Sequence, residues 1–510
     1  MKKNNLNIVV LITVATFIGK ILGVVRDILI SYYYGSTDMT DAFFIAMSIP
    51  TMILGIFTAS TDSAIIPQYS RIKEKESKKE ADKLFSYIIN SLLLVCISVS
   101  LAMFLFPEVF IKIFATGFKE ETVADCIIYL KIFAPLGVLH MLYCFYCTYC
   151  AVYKENWPRV ILAFSTNLIV VFTLIIWHDS NLISLSIAYL ASNVVCAVLP
   201  IVQVNKLGYK HIWSIDINNG EFKKYWRLFI PIMGSACLND IQQYVDKNLA
   251  SNIYGGISTL NYASKLITIF DSIFVVGISV VLLPTLSELR VRKEQKEFRK
   301  VTTKVTKYLL MLLIPCFVLL FTLSNEWITI IYGRGEFNQN AVNSVSTILK
   351  IYSPLIVMVP MQTIFSRFFH AQEKNHIPFR LNLISVGLNV GLSILLAYFI
   401  GLRGIALATT IATFVIILFY IKVIKQEIGW NLKEINIKLL FGMVTAIGIS
   451  CMGLLIIKNS LVSSWLRIIA SLGLVLGSFF AVYFITMKED MKLFFNIIFK
   501  SKNRKDRYGG

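Results

Sequence analysis

Lys20–Asp41 reads KILGVVRDILISYYYGSTDMTD. It begins inside the first long apolar run, about residues 7–34, yet carries Lys20, Arg26 and Asp27. A charge at the centre of a bilayer-spanning helix costs ~2.5–3.5 kcal/mol on insertion scales. Three charges in one span are therefore expected to face water or one another, not lipid. On a helical period of about 3.6 residues, Lys20 and Asp27 nearly eclipse and Arg26 lies roughly 100° from Asp27. The stretch predicts a cavity-lining helix with a mainly cationic face.

The same reading extends to the whole chain of 510 residues, which is 56% hydrophobic and only 15% charged. Soluble domains are nearer about 25% charged. Apolar runs of about 20 residues recur along its length. They predict an all-α integral membrane protein with about fourteen spans. The second is placed at 41–66, the fourth at 125–152 and the tenth at 343–371. The spans leave no room for a soluble catalytic domain. The net charge of +19 is concentrated in alternate connections, among them Arg71–Lys83, Lys206–Arg227, Arg290–Lys307 and the tail Lys488–Arg507. That is the positive-inside pattern, which places both termini in the cytoplasm and speaks against nucleic-acid binding. Lys2 and Lys3 before an apolar run mimic a signal peptide. The run is too long, carries charges and lacks a small-x-small site, so it reads as a retained first span. Cys144, Cys147 and Cys150 lie at i, i+3 and i+6. No fourth soft ligand accompanies them, so packing is preferred over a metal site. The five His are scattered. No metal, no cofactor and no enzymatic activity are expected.

The chain repeats itself. Leu29–Gly35 (LISYYYG) is echoed by Leu249–Gly255 (LASNIYG), at an offset of 220. Ile65–Ser70 (IIPQYS) is echoed by Leu282–Ser287 (LLPTLS) at 217, and Leu130–Leu136 (LKIFAPL) by Leu349–Leu355 (LKIYSPL) at 219. Ala151–Pro158 (AVYKENWP) returns as Ala371–Pro378 (AQEKNHIP). A weaker echo joins Glu108–Ala124 to Asn325–Asn343. A near-constant offset over an even number of spans predicts two six-helix lobes in parallel repeat. The expected division is a lobe at 1–205, a cytoplasmic linker at 206–224 and a lobe at 225–425. Two additional helices at 426–487 and a basic tail at 488–510 follow. Parallel repeats are an architecture of alternating-access transporters, with a central site between the repeats. Further charges inside apolar segments fit such a site: Asp62, Lys131, Asp240, Asp246, Lys247, Lys265, Asp271, Lys350 and Arg367. Asp41 follows a Ser-Thr-Asp-Met-Thr turn at a helix start, where a carboxylate is expected to cap exposed N–H groups. Lys131 and Lys350 precede paired prolines and read as gate structure or cavity lining. Removing Arg26 is expected to leave membrane insertion intact.

Residues 20–27 (KILGVVRD) followed by 40–44 (TDAFF) resemble the N-terminal signature of the MurJ (MviN) lipid II flippases. These belong to the multidrug/oligosaccharidyl-lipid/polysaccharide exporter superfamily. Residues 246–251 (DKNLAS) and 258–266 (STLNYASKL) resemble that family's seventh and eighth spans. Residues 332–337 (YGRGEF) and 368–378 (FFHAQEKNHIP) resemble the stretches flanking its tenth. The resemblance runs from about residue 10 to 430. It implies a cationic central cavity, a lipid-tail groove made by the last two helices, and a cargo of undecaprenyl-pyrophosphate-linked disaccharide-pentapeptide. It assigns substrate binding to Lys20, Arg26 and Lys265, and a coupling monovalent cation to Asp246; membrane potential is the other candidate driving force. Asp27, Asp41, Lys131 and Lys350 remain cavity or structural polar residues. Two of the three cargo positions are Lys, which keeps charge but not the bidentate fork. Where the family has a further basic residue, this chain has Leu54 or Gly55. The partners implied are the lipid-linked saccharide and membrane lipids, bound by a monomer in the cell membrane. Another undecaprenyl-linked saccharide, of capsule or exopolysaccharide, is the alternative cargo. A cation-coupled drug antiporter would want an acidic or apolar cavity instead.

Overall fold

The computed structural model describes residues 3–58, 61–155, 157–178, 181–292, 294–430, 437–460 and 464–486. The expected basic tail at 488–510 lies outside these residues. Among the described residues there are nineteen helices and no strand. They are α1 (Lys3–Tyr34), α2 (Asp38–Gly55), α3 (Thr61–Lys75), α4 (Lys78–Leu105), α5 (Pro107–Phe114), α6 (Glu120–Phe133), α7 (Leu136–Val152), α8 (Trp157–Ile176) and α9 (Ile183–Lys206). There follow α10 (Gly220–Ala250), α11 (Gly256–Val291), α12 (Gln295–Thr322), α13 (Ser324–Ile331), α14 (Gln339–Tyr352) and α15 (Leu355–Ala371). The last are α16 (His376–Ile400), α17 (Leu402–Ile428), α18 (Ile437–Ser460) and α19 (Ser464–Thr486).

The sequence repeat is a repeat of elements. The run α4 to α7 has lengths of 28, 8, 14 and 17 residues, and α12 to α15 has the same four lengths in the same order. The short α5 and α13 fall in the two stretches of the weaker echo. Pro135 and Pro354 each precede a new helix, and α14 and α15 are bent by 40° at the second of these breaks. Proline cannot donate the backbone bond a continuous helix needs.

The second span departs from its expected form. Residues 41–66 are not one helix: α2 ends at Gly55, and Phe57 and Thr58 turn back with N–H bonds to Leu54 and Gly55. The Thr58 hydroxyl donates to the Gly55 carbonyl as well, at 2.8 Å. Gly and a hydroxyl that serves the preceding carbonyl favour helix ending over continuation. The corresponding helix of the second repeat, α11, is unbroken.

Gly35 and Gly255, one repeat apart, both adopt left-handed φ, +66° and +60°. A Cβ at Gly35 would lie 2.7 Å from the Glu336 carbonyl oxygen, and one at Gly255 would lie 2.6 Å from that of Ser36. Both positions need glycine for conformation and for space.

The described chain forms two compact units, Met1–Thr259 with Arg334–Asn338, and Leu260–Gly333 with Gln339–Gly510. In the first, α3, α4 and α7 enclose Tyr69, Phe85, Phe145 and Tyr149, with the buried Asp82 carboxylate accepting from the Tyr69 and Tyr149 hydroxyls at 2.6 and 2.9 Å. Helix α10 packs on α3, α4 and α5 in this unit. In the second, Phe365 packs on Tyr420 and Trp430, whose indole donates to Thr303 at 2.9 Å. The pair α18–α19 rests on α12, with the Ser450 and Ser478 hydroxyls 2.8 Å apart between the two helices. Small polar contacts of this kind hold helices together where lipid removes the hydrophobic drive. Large apolar side chains point outward, such as Leu94, Phe104, Tyr398 and Phe441. Eight described helices are long and apolar enough to cross a membrane, nine if the bent pair counts as one. The expected fourteen spans are not confirmed as a number.

Candidate functional site

The cationic helix is α1, and its charges are organised by two other helices. Arg26 donates from Nε and Nη2 to Asp27 Oδ1 at 3.0 and 2.7 Å. Its Nη1 donates to Asn167 Oδ1 on α8 at 2.9 Å, and the guanidinium carbon stands 5.5 Å from the Tyr189 ring centroid on α9. Asn167 uses its amide nitrogen to reach the Gly19 carbonyl of α1, also at 2.9 Å. Close packing of α1 on α8 makes this possible, since Gly23 faces the Asn167 side chain. The side chains of Arg26 and Asp27 are 15% and 8% exposed, so this is a nearly enclosed pair with a fixed guanidinium plane. Its electrostatic character is a compensated dipole more than a bare cation. Lys20, further back on α1, is exposed. The two cations of α1 thus differ in exposure, an exposed lysine and a nearly enclosed arginine.

Asp41 is buried and caps a helix, but not its own. Helix α2 is closed by Thr37 and Thr40, which exchange side-chain and backbone bonds as a capping box. The Asp41 carboxylate instead accepts the N–H groups of Ile257 and Ser258, at 3.0 and 2.6 Å, at the start of α11. Asp38 accepts from Gly255 N–H at 3.3 Å, and the Ser36 hydroxyl lies 2.8 Å from that of Ser258. Helix starts leave N–H groups unbonded and carry partial positive charge, so two carboxylates are well placed there. The turn after α1 is thus stitched to a chain segment more than two hundred residues away.

The remaining expected residues are placed as follows. Asp246 lies near the end of α10 and is half-buried. That end is held by Tyr244 and Asn248, which donate to the Ile113 carbonyl in the last turn of α5 at 2.8 and 3.0 Å. Lys131 on α6 is exposed. In the second unit, Lys265 on α11 is half-buried, and Lys350 on α14 is exposed with its amine 5.6 Å from the Phe321 ring centroid. Of Asp271 only the helical backbone is described. Cys147 and Cys150 are buried on α7, while Cys144 is half-buried 3.6 Å from His140. Sequence reasoning missed Asn167 and Tyr189. The available signal for the first was an amide inside an apolar span.

The lipid II flippase MurJ family matches residues 30–476. The lipid II flippase MurJ of Thermosipho africanus is 28% identical over 418 residues, 82% of this chain and 85% of its own length. The probable lipid II flippase MurJ of Aquifex aeolicus is 26% identical over 495 residues, 95% of each chain. A solved lipid II flippase MurJ in an inward closed conformation is 25% identical, covering 96% of this chain and 99% of its own, with a TM-score of 0.82. An inward-facing multidrug resistance transporter of the MATE family, at 14% identity and a TM-score of 0.65, shares the fold. With its apolar helices, the chain is a multi-pass membrane protein. Its repeated helical architecture and the matches along almost its whole length lead to one assignment: the chain belongs to the lipid II flippase MurJ family.

Proposed function

We propose that this protein is a lipid II flippase, carrying undecaprenyl-pyrophosphate-linked disaccharide-pentapeptide from the cytoplasmic to the outer leaflet by alternating access. The observation that carries the reading is the likeness to a solved lipid II flippase over 96% of the chain. In this reading Lys20, Arg26 and Lys265 receive the pyrophosphate, because a cation in a poorly solvated setting attracts an anion more strongly than in water. Asp246 holds a coupling monovalent cation, or the membrane potential drives the cycle. The repeats are 1–205 and 225–425, joined by the linker 206–224, with helices at 426–487 and a basic tail beyond. Both termini lie in the cytoplasm of a monomer, as the alternate basic connections favour. No group-transfer chemistry is assigned to it.

The test is rescue of cells depleted of their own lipid II flippase, with membrane abundance measured in parallel. Rescue by the parent chain is expected. A well-expressed parent that fails to rescue would move the cargo to another undecaprenyl-linked saccharide.

A further inference from the structure

The first unit holds a second arginine–carboxylate pair, far from Arg26 in sequence. Arg159, in the first turn of α8, donates from Nη1 and Nη2 to the two carboxylate oxygens of Asp62 at 2.8 and 2.6 Å. The Thr148 hydroxyl on α7 donates to the same carboxylate at 2.5 Å. With Thr58, Thr61 and Tyr143 these groups line a pocket of about 440 Å³. The two side chains are 35% and 49% exposed, against 15% and 8% for Arg26 and Asp27. This pair is therefore the more accessible of the two.

Three features of the pocket suit it to an anion. A guanidinium that grips a carboxylate with two parallel N–H bonds has the geometry that grips a phosphate. It cannot shed its charge, so the pocket keeps a cation whatever occupies it. The pair is exposed enough for another anion to reach the guanidinium. Asp62 does not depend on Arg159 alone, for it sits in the first turn of α3, where the helix dipole favours a carboxylate. Thr148 holds it as well. The carboxylate can release the guanidinium without taking up a proton.

We propose that Arg159 is a ligand for the pyrophosphate of the lipid-linked cargo, and that Asp62 is its resting counter-ion, displaced when cargo enters. The inference rests on the flippase reading. It adds a phosphate-binding residue on α8, contributed by a part of the chain to which the sequence motifs assigned nothing.

The experiment measures binding of undecaprenyl pyrophosphate, and separately of inorganic pyrophosphate, to the purified full chain in detergent. The variants are Arg159→Gln, Arg159→Lys, Asp62→Asn and the exchanged pair Asp62→Arg/Arg159→Asp, each with its melting temperature recorded. Arg159→Gln is expected to bind about tenfold more weakly, the scale of losing charge-assisted bonds. Arg159→Lys should fall between it and the parent, because charge is kept and the fork is lost. Asp62→Asn should bind more tightly than the parent, since the competing anion is gone. The exchanged pair should recover thermal stability without recovering affinity. Inorganic pyrophosphate with the same dependence on Arg159 supports a site that reads phosphate without the lipid. Parent-like affinity of a well-folded Arg159→Gln overturns the inference and leaves the flippase reading standing. So does an exchanged pair that recovers affinity together with stability, which would mark a structural tie. A parent that binds no undecaprenyl pyrophosphate overturns both.

Discussion

Arg26 shows how a single residue changes meaning between sequence and structure. Read along α1, it is a cation whose removal relieves the cost of insertion. In the fold it neutralises Asp27, which is only 8% exposed, and bonds Asn167 at 2.9 Å. Arg26→Ala takes a counter-charge from a buried carboxylate, a change that costs about 3–5 kcal/mol where it breaks a buried pair. Arg26→Ala should be less abundant in membranes than the parent, and Arg26→Ala/Asp27→Asn should regain abundance while still failing to rescue flippase-depleted cells. A double variant no more abundant than the single would refute the pairing. The charges themselves were legible in the sequence, because any charge in an apolar run needs a partner or water. Their partner Asn167 was not, since an amide in an apolar span looks the same whichever helix it faces.

At the scale of elements, two joints invite measurement. Gly255 turns the chain into α11 with φ +60°, and the Ser36 carbonyl stands where a Cβ would go. Gly255→Ala should lower stability by at least about 1–2 kcal/mol from left-handed backbone strain alone. Gly220→Ala, in open space at the start of α10, is the control and should be neutral or slightly stabilising. Thermal unfolding of both compares them directly. The second joint is the linker after α9. Asn90 on α4 donates to the Ile212 and Ser214 carbonyls at 2.7 and 2.8 Å. His211 sits between the Tyr209 hydroxyl at 3.0 Å and Asn90 Oδ1 at 2.8 Å. Burial holds the imidazole below its usual value. Its folded form is therefore the neutral one. Its contribution is complete above the unfolded value of about 6.5 and is lost as pH falls through the lower folded value. Amide exchange at Ile212, corrected for intrinsic rate, should quicken as pH drops from about 7.5 to about 5.5. His211→Asn should remove that dependence, and an unchanged pH profile would exclude His211 as its source.

For the whole molecule, the alternate basic connections predict one topology. Reporters fused to either end should both register the cytoplasm, and termini found on opposite sides would require an odd number of spans. The repeat was visible as a constant offset, and the matched lengths of α4–α7 and α12–α15 carry it into three dimensions. What did not transfer was continuity. The apolar run at 41–66 promised one span, and the chain instead breaks after Gly55.

Membrane residence, helical architecture and the doubling of the chain were determined by the sequence alone. Insertion energetics and helical period act along the chain, so a one-dimensional string carries them. The capping of α11 by Asp41 and the pairing of Asp62 with Arg159 were decided only by tertiary structure. The two pairings join residues 216 and 97 apart in the chain. No local pattern can record them, because a carboxylate satisfies any donor that packing brings to it, and packing is settled by helices meeting in space.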